Sequence, residues 1–290
     1  MSISTIIVSY KTGPALNECV KAVLASSLID ELIIVDNGNE PAMQVWMDIQ
    51  AQKHRSITII RGQGNVGFAS ACNLGARAAT GDVFLFLNPD AILQTGTMTI
   101  LQTALDEAPA GSIIGARLLN TDGSEQRGSR RGRLTPWSAL VSMTGLGRFA
   151  HVHPVFTDMH QENQPLPDSP VAVHAISGAC MLILRADYQR LGGFDESYFL
   201  HVEDLDLCRR VRQRGGKAIF VPQARIMHYG STSRSNRLVI DWHKATGLVR
   251  YFVRFSHSPL ERLGAWVLAA PIIGAVMLRS ITITLKERLF

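Results

Sequence analysis

Apolar residues in this chain gather in short unbroken runs, and between the runs they recur at helical spacing. Runs at residues 5–8, 32–35, 57–60 and 83–87 have the length and continuity of strands buried on both faces. Between them, Leu16, Val20, Val23 and Leu24 mark one helix, and Val45, Trp46 and Ile49 a second. A small-residue stretch over 70–79 marks a third. Strands alternating with helices predict a parallel, doubly wound α/β sheet whose strands end on a common edge. That edge collects Asp36, Asn65 and Asp90. A helix over 98–105 and a strand over 113–118 continue the pattern.

The pattern then lapses. Residues 120–170 are rich in Gly, Pro, Ser, Arg and His, with one weak apolar patch over 137–143, and read as a long functional loop or acceptor region. A long strand over 171–184 follows, broken at Ser177-Gly178-Ala179, where small residues admit a ligand close to the backbone. Strands over 218–221 and 224–228 come next. Residues 241–255 form an amphipathic helix with Trp242, Ala245, Val249 and Phe252 on one face. Residues 263–278 are apolar throughout, shorter than the ~20 residues of a simple span and interrupted by Pro271. With Arg262, Arg279, Lys286 and Arg288 around it, this segment suits an anionic membrane surface, a span, or a core or oligomer contact.

Composition narrows the picture modestly. The 290 residues support one large domain or one domain with an appendage, and the net charge of +5 favours anionic partners. Four scattered cysteines form no CxxC pair and read as buried thiols in a reducing compartment. The amino terminus opens on a strand without a signal-like segment, which predicts a cytoplasmic catalytic part.

Three stretches carry candidate chemistry. The run at 83–87 stops at Asn88-Pro89-Asp90, so a central strand ends on an acid where α/β sheets bind ligands; the alternative is a turn that uses Asn-Pro-Asp only for geometry. Gly62, Gly64 and Gly67 satisfy G-x-G-x-x-G between a strand and a helix, which admits an NAD(P)-dependent oxidoreductase, although two β-α units precede it. The third stretch, 192–210, holds Asp195, Glu196, Glu203, Asp204 and Asp206. Its acids either serve catalysis or cap a helix and pair with Arg209 and Arg210.

Taken in order, Val8-Ser9-Tyr10, Val35-Asp36-Asn37, Asn65-Val66-Gly67-Phe68-Ala69 with Asn73, Asn88-Pro89-Asp90, and Gly193-Phe194-Asp195-Glu196 running to Glu203-Asp204-Leu205-Asp206-Leu207-Cys208 resemble family 2 glycosyltransferases of the GT-A fold, most of all the bacterial rhamnosyltransferase-like branch. The resemblance runs from residue 4 to about 233. It implies a GT-A catalytic domain over 1–235, a mostly parallel sheet flanked by helices, and a C-terminal helical, membrane-associating region over 236–290. Ser9, Tyr10 and Asp36 correspond to positions that hold the nucleotide base, and Asn65, Gly67 and Phe68 to the loop along the nucleotide. Gly178 and Ala179 correspond to the sugar pocket. Asn88 and Asp90 stand for the family's Asp-x-Asp motif, and Asp90 with His228 corresponds to the ligands of a divalent cation, Mg²⁺ or Mn²⁺. Glu203 and Asp204 are the catalytic pair, with Asp204 as base and its pKa raised by Glu203.

The acceptor side is assigned to Asp195 and Glu196; the basic run Arg127, Arg130, Arg131 and Arg133 reads either as a solvated loop or as capture of an acceptor diphosphate, with Arg130 and Arg131 on the acceptor side. The implied activity is inverting transfer of a sugar, with dTDP-rhamnose as the branch-level donor, to a lipid-linked or polysaccharide acceptor in surface-glycan synthesis. The implied setting is the cytoplasmic face of the cell membrane, with no nucleic-acid partner. A non-catalytic membrane-associated binder of nucleotide or glycan is the other alternative.

Overall fold

The computed structural model describes residues 1–230, 232–233 and 236–289, with side chains described to residue 283, so Lys286 and Arg288 lie outside the described side chains. The first half alternates as the apolar runs predict: β1 (Ile3–Ser9), α1 (Ala15–Leu24), β2 (Glu31–Asp36), α2 (Pro41–Lys53), β3 (Ile57–Ile60), α3 (Phe68–Ala78) and β4 (Val83–Leu87). Then come β5 (Ala91–Leu93), α4 (Thr97–Glu107), β6 (Ile113–Leu119), β7 (Arg130–Arg131) and α5 (Pro136–Thr144). The remainder comprises β8 (Val171–Val173), β9 (Ala175–Ile176), β10 (Cys180–Leu184), α6 (Arg185–Leu191), α7 (Glu203–Gln213), β11 (Ala218–His228), α8 (Arg237–Arg254), α9 (Pro259–Val267) and α10 (Ala269–Leu289).

Nine strands form the main sheet, in the order β3-β2-β1-β4-β10-β6-β11-β5, with β8 beside β11. The β1, β2, β3 and β4 block is parallel, with Ser9 opposite Asp36 and Ile7 opposite Leu87. This register sets the ends of β1, β2 and β4 side by side. Beyond β4 the sheet is mixed, because β10 runs antiparallel between β4 and β6, and β5 and β8 run antiparallel to β11. The apolar run at 171–184 is therefore three strands in two sheets, with β9 pairing β7 in a small second sheet. Continuous apolarity marks burial on both faces but not strand direction.

Alternation along the strands splits the core in two. Phe84 and Phe86 face α3, α6, α7 and α8, while Val83, Leu85 and Leu87 face α1, α2 and α4. Phe84 and Phe86 are 0% exposed and each contributes roughly 2–3 kcal/mol by burial. Two helical faces differ from the pattern reading. Val45 and Ile49 of α2 and Trp242 of α8 are exposed, and the buried positions are Met47 and Leu248 with Ala245, Val249 and Phe252. All four cysteines are buried.

The C-terminal helices do not hang free. Leu248, Val249, Ala265 and Ile272 join the same apolar cluster as α7, and Arg254 pairs with Asp195 and Asp206. Pro271 falls in the first turn of α10, where a missing N–H costs little, so the helix continues through it.

Candidate active site

The ends of β1 and β2 form a tight polar cradle. Asp36 Oδ1 accepts three hydrogen bonds, from Gly38 N–H (3.1 Å), Asn39 N–H (2.9 Å) and the Asn39 side-chain amide (2.9 Å). Its Oδ2 is buried without a hydrogen-bond partner, with Arg61 Nε 3.9 Å away. Such a vacant buried acceptor is costly, and so marks a place for a ligand donor. Tyr10 is half-buried beside it, its ring against Gly38. Ser9 is fully buried: its Oγ donates to Asn39 Oδ1 (3.1 Å) and its carbonyl accepts from the Asn39 amide (2.9 Å). Its side chain therefore shapes the cradle and does not face a ligand. Asn39, which no motif marked, is the residue that ties the two strand ends together.

The glycine loop is spent on the protein itself. Gly67 has φ +84°, and a Cβ there would lie 2.6 Å from the Phe199 carbonyl oxygen. Phe68 N–H, at the start of α3, donates to that same carbonyl (2.7 Å), and the Phe68 ring packs on Phe194 with centroids 6.2 Å apart. Asn65 Oδ1 accepts from the Asn37 amide (2.9 Å) and Gly67 N–H (3.2 Å). A dinucleotide turn needs its helix N-terminus open to a pyrophosphate, and here Phe199 fills it, which overturns the oxidoreductase reading of this loop.

Beyond β4, Asp90 meets His228 from the end of β11. Asp90 Oδ1 lies 3.1 Å from His228 Nε2, and Asp90 Oδ2 accepts from Thr232 Oγ1 (2.9 Å). Burial opposes the charge on Asp90, but the His228 and Thr232 contacts outweigh it and hold its pKa below the ordinary range. Gln126 fixes the imidazole: its amide donates to the His228 carbonyl (3.0 Å), and its Oε1 accepts from His228 Nδ1 (2.5 Å). With Nδ1 held by Gln126, Nε2 is directed at Asp90, and the Asn88 amide nitrogen lies 3.2 Å from the same Nε2.

Among the described residues no group of three or more His, Cys, Asp or Glu side chains is arranged around one metal position. One carboxylate and one imidazole fit a divalent cation whose remaining ligands come from a bound phosphate or water.

The Glu203-Asp204 pair sits at the start of α7, behind two residues in the left-handed region, His201 (φ +67°) and Val202 (φ +73°). For β-branched Val202 that conformation costs about 1–2 kcal/mol, and it aims the first turn of α7 at the sheet. Asp204 accepts from Gly178 N–H (2.9 Å), from Leu205 N–H (2.7 Å) and from Arg131. Burial opposes its charge, but Arg131 and the two N–H groups hold its pKa below the usual range. Glu203 is buried with Oε2 unpartnered, and burial first, then the charge of Asp204, push it up to about 8. The like-charge shift thus falls on Glu203 and not, as expected from the pairing, on Asp204.

A short link joins the two centres. Asn88 N–H donates to the Ala179 carbonyl (3.0 Å), and the adjacent Gly178 N–H donates to Asp204. A single peptide unit therefore stands between the Asn88 backbone and the Asp204 carboxylate. The other residues assigned to the acceptor side are engaged elsewhere. Arg130 is buried against Glu125, the carbonyls of Gln164 and Pro165, and the Phe220 ring. Asp195 pairs with Arg254, and Glu196 with the Asn73 amide (2.9 Å) and Arg77. Arg131 points at Asp204.

Similarity to known proteins identifies the family and the fold. The sequence profile of glycosyl transferase family 2 matches residues 4–191. The chain belongs to this family. The glycosyltransferase is 26% identical over 240 residues to the N-acetylglucosaminyl-diphospho-decaprenol L-rhamnosyltransferase of Mycobacterium tuberculosis, covering 79% of this chain and 76% of that one. It is likewise 26% identical over 215 residues to the low-salt glycan biosynthesis hexosyltransferase Agl10 of Haloferax volcanii, covering 73% and 62% of the two chains.

Its fold is that of GT-A enzymes. The structure of GalNAc-T7 with UDP, GalNAc and Mn²⁺ aligns with a TM-score of 0.65 at 17% identity, over 87% of this glycosyltransferase and 48%, about half, of that chain. A Pyrobaculum calidifontis mannosyltransferase in complex with GDP-Man and Mn²⁺ aligns at 0.59 and 16% identity, over 97% and 75%.

Proposed function

We propose that this glycosyltransferase is an inverting, metal-assisted enzyme that moves a sugar from a nucleoside diphosphate to a hydroxyl of a lipid-linked or polysaccharide acceptor. The observation that carries this reading is the pair of separate carboxylate centres, Asp90 with His228 and Asp204 with Arg131, spaced by the Gly178–Ala179 peptide. The first suits a diphosphate with its counter-ion, and the second suits proton acceptance. Asp90 and His228 would hold a divalent cation, which when bound supplies neutralisation of the charge on the leaving diphosphate. Asp36 and Tyr10 orient the base, and Asp204 takes the proton of the attacking hydroxyl. Glu203, uncharged at neutral pH, keeps a second negative charge away from the base.

The cradle also supports a donor class. Asp36 Oδ1 is saturated by three N–H groups, so only Oδ2 is free for a base. One vacant oxygen matches the single imide N–H of uracil or thymine; the paired N–H donors of guanine need both oxygens. dTDP-rhamnose is the proposed donor, in keeping with the rhamnosyltransferase relative.

The membrane reading rests on α9 and α10. Residues Pro259–Ile283 are long and apolar enough to cross a membrane, with hydropathy 1.8 and only 17% of their most apolar 18 residues buried. Ile272, Val276 and Ser280, spaced by four, face inward, while Leu260, Leu263, Trp266 and Val267 are exposed, Leu260 by 80%. With a stripe of α10 packed inward and the outer face of α9 apolar and bare, the pair lies on a bilayer surface better than across it, at the cytoplasmic face of the cell membrane.

Turnover of UDP-, dTDP- and GDP-sugars with a short-prenyl diphospho-N-acetylglucosamine, with Mn²⁺ or with EDTA, tests the function. Transfer from a dTDP- or UDP-sugar that EDTA abolishes is expected. Transfer from GDP-sugars alone contradicts the donor class, and EDTA-resistant transfer contradicts the metal.

A further inference from the structure

The carboxylate of Asp204 is held from three directions. Oδ2 accepts from Arg131 Nη2 and from Gly178 N–H at 2.9 Å, which fills its two lone-pair positions. Oδ1 accepts from Leu205 N–H at 2.7 Å and has only a long 3.5 Å contact with Arg131 Nη1. One short hydrogen-bond position therefore remains, on Oδ1. Arg131 is itself buried, donates to the Ile176 carbonyl (2.6 Å), and sits on β7, which pairs with β9. Nη2 thus bridges the Ile176 carbonyl and Asp204 Oδ2, while Nη1 reaches only toward Oδ1, so the guanidinium is held at a fixed, buried point, unlike a surface arginine that follows solvent.

We propose that Arg131 is a positioning residue for sugar transfer, orienting Asp204 so that Oδ1, and not Oδ2, receives the proton of the acceptor hydroxyl. This rests on the reading of Asp204 as the base. In the step, the acceptor oxygen bonds to the anomeric carbon as its proton passes to Asp204 Oδ1. The bond from that carbon to the diphosphate breaks, its electron pair leaving on the phosphate oxygen.

Arg131 also dominates the charge around the base. The titratable groups facing Asp204 are Arg131 from β7, His201 from the preceding loop, and Glu203 and Cys208 from α7. Burial brings His201 down to about 4 and pushes the Cys208 thiol up to about 12, and Glu203 stands at about 8. At neutral pH these three are uncharged, which leaves Arg131 as the cation facing the base among the described residues. Lys244 and His160 also lie in the field of Arg131, and burial opposes the charge of each.

The test is the pH dependence of kcat/KM for Arg131→Gln and Arg131→Lys, with a dTDP-sugar donor, short-prenyl diphospho-N-acetylglucosamine as acceptor, and dTDP binding by calorimetry. Arg131→Gln leaves burial unopposed, so the acid limb moves up by at least about one pH unit and kcat falls by about 100-fold. Arg131→Lys keeps the charge without the fork, so kcat falls by about tenfold while the limb stays in place. dTDP affinity changes less than about twofold in both, because Arg131 touches no donor-side residue.

A folded Arg131→Lys with wild-type kcat, or an Arg131→Gln whose rate falls without movement of the limb, overturns the proposal. Should Arg131→Gln fail to fold, Arg131→Lys decides the matter. Asp204→Asn, run alongside, separates the two readings. If it turns over normally, the base assignment falls and the proposal with it. If it is inactive while both Arg131 variants match wild type, only the role of Arg131 falls.

Discussion

The two halves of this site, one proposed to hold the donor and the other to supply the base, are built by different means. On the donor side, Asp36, Asn39 and Asp90 stand at or just beyond the ends of adjacent parallel strands, and backbone pairing such as Ser9 with Asp36 puts them together. On the base side, Asp204 is placed by Gly178, 26 residues away, and by Arg131, 73 residues away, through side-chain hydrogen bonds. Ladder bonds make the donor cradle a consequence of the fold. The base depends on one buried ion pair, and breaking such a pair leaves a stranded charge.

Loss of the base gives the largest effect. Asp204→Asn lowers kcat by about 10³-fold or more while dTDP binding stays within about twofold of wild type, measured by turnover and calorimetry on one preparation. Next is the cation pair: His228→Ala lowers Mn²⁺-dependent kcat by about 10²-fold and weakens Mn²⁺ binding measured by calorimetry. Gln126→Leu does the same to a lesser degree, about tenfold, because it releases the imidazole without removing it. On the cradle, Asp36→Asn raises the Kd for dTDP by about 10–100-fold, since an amide N–H replaces the vacant acceptor while the loop keeps its oxygen. A kcat effect larger than the Kd effect there would erase the distinction between the halves.

The smallest effect sharpens the contrast within the pair. Glu203→Gln keeps kcat within about threefold, because the buried carboxyl is already uncharged at neutral pH. Its pKa of about 8 in the folded protein exceeds the ordinary 4.5, so the stability it contributes is full below about pH 4.5 and is lost as pH rises through about 8. Glu203→Gln therefore melts at a higher temperature than wild type at pH 8 and not at pH 4.5. For the tail, Leu263→Glu with Trp266→Glu abolishes sedimentation with acidic vesicles and leaves turnover of a soluble acceptor unchanged. Point changes are preferable to truncation here, because Ala265, Ile272 and Val276 belong to the buried interior.

What could be read from the sequence follows the same division. The apolar runs marked the strands, and a strand run that stops at Asn-Pro-Asp marked Asp90, because local periodicity and breaker residues carry that information. They did not mark strand direction: the run at 171–184 reads as one strand, yet its pieces reverse and change sheets. Arg131 and Arg130 look alike in sequence, and only the fold turns one to Asp204 and the other to Glu125. Gln126 and Asn39 gave no signal, since a single amide acquires its role from partners far along the chain. The Gly62–Gly67 loop was misleading for the same reason: its last glycine, Gly67, makes room for Phe199, which no local pattern foretells.

The most direct test of inverting transfer is the anomeric configuration of the product. The proposed arrangement, with the diphosphate at Asp90 and His228 and the hydroxyl deprotonated from the Asp204 side, predicts a single displacement that links the sugar with the anomer opposite to that of the donor, read by NMR of the purified product. A product that keeps the donor's configuration would contradict the account.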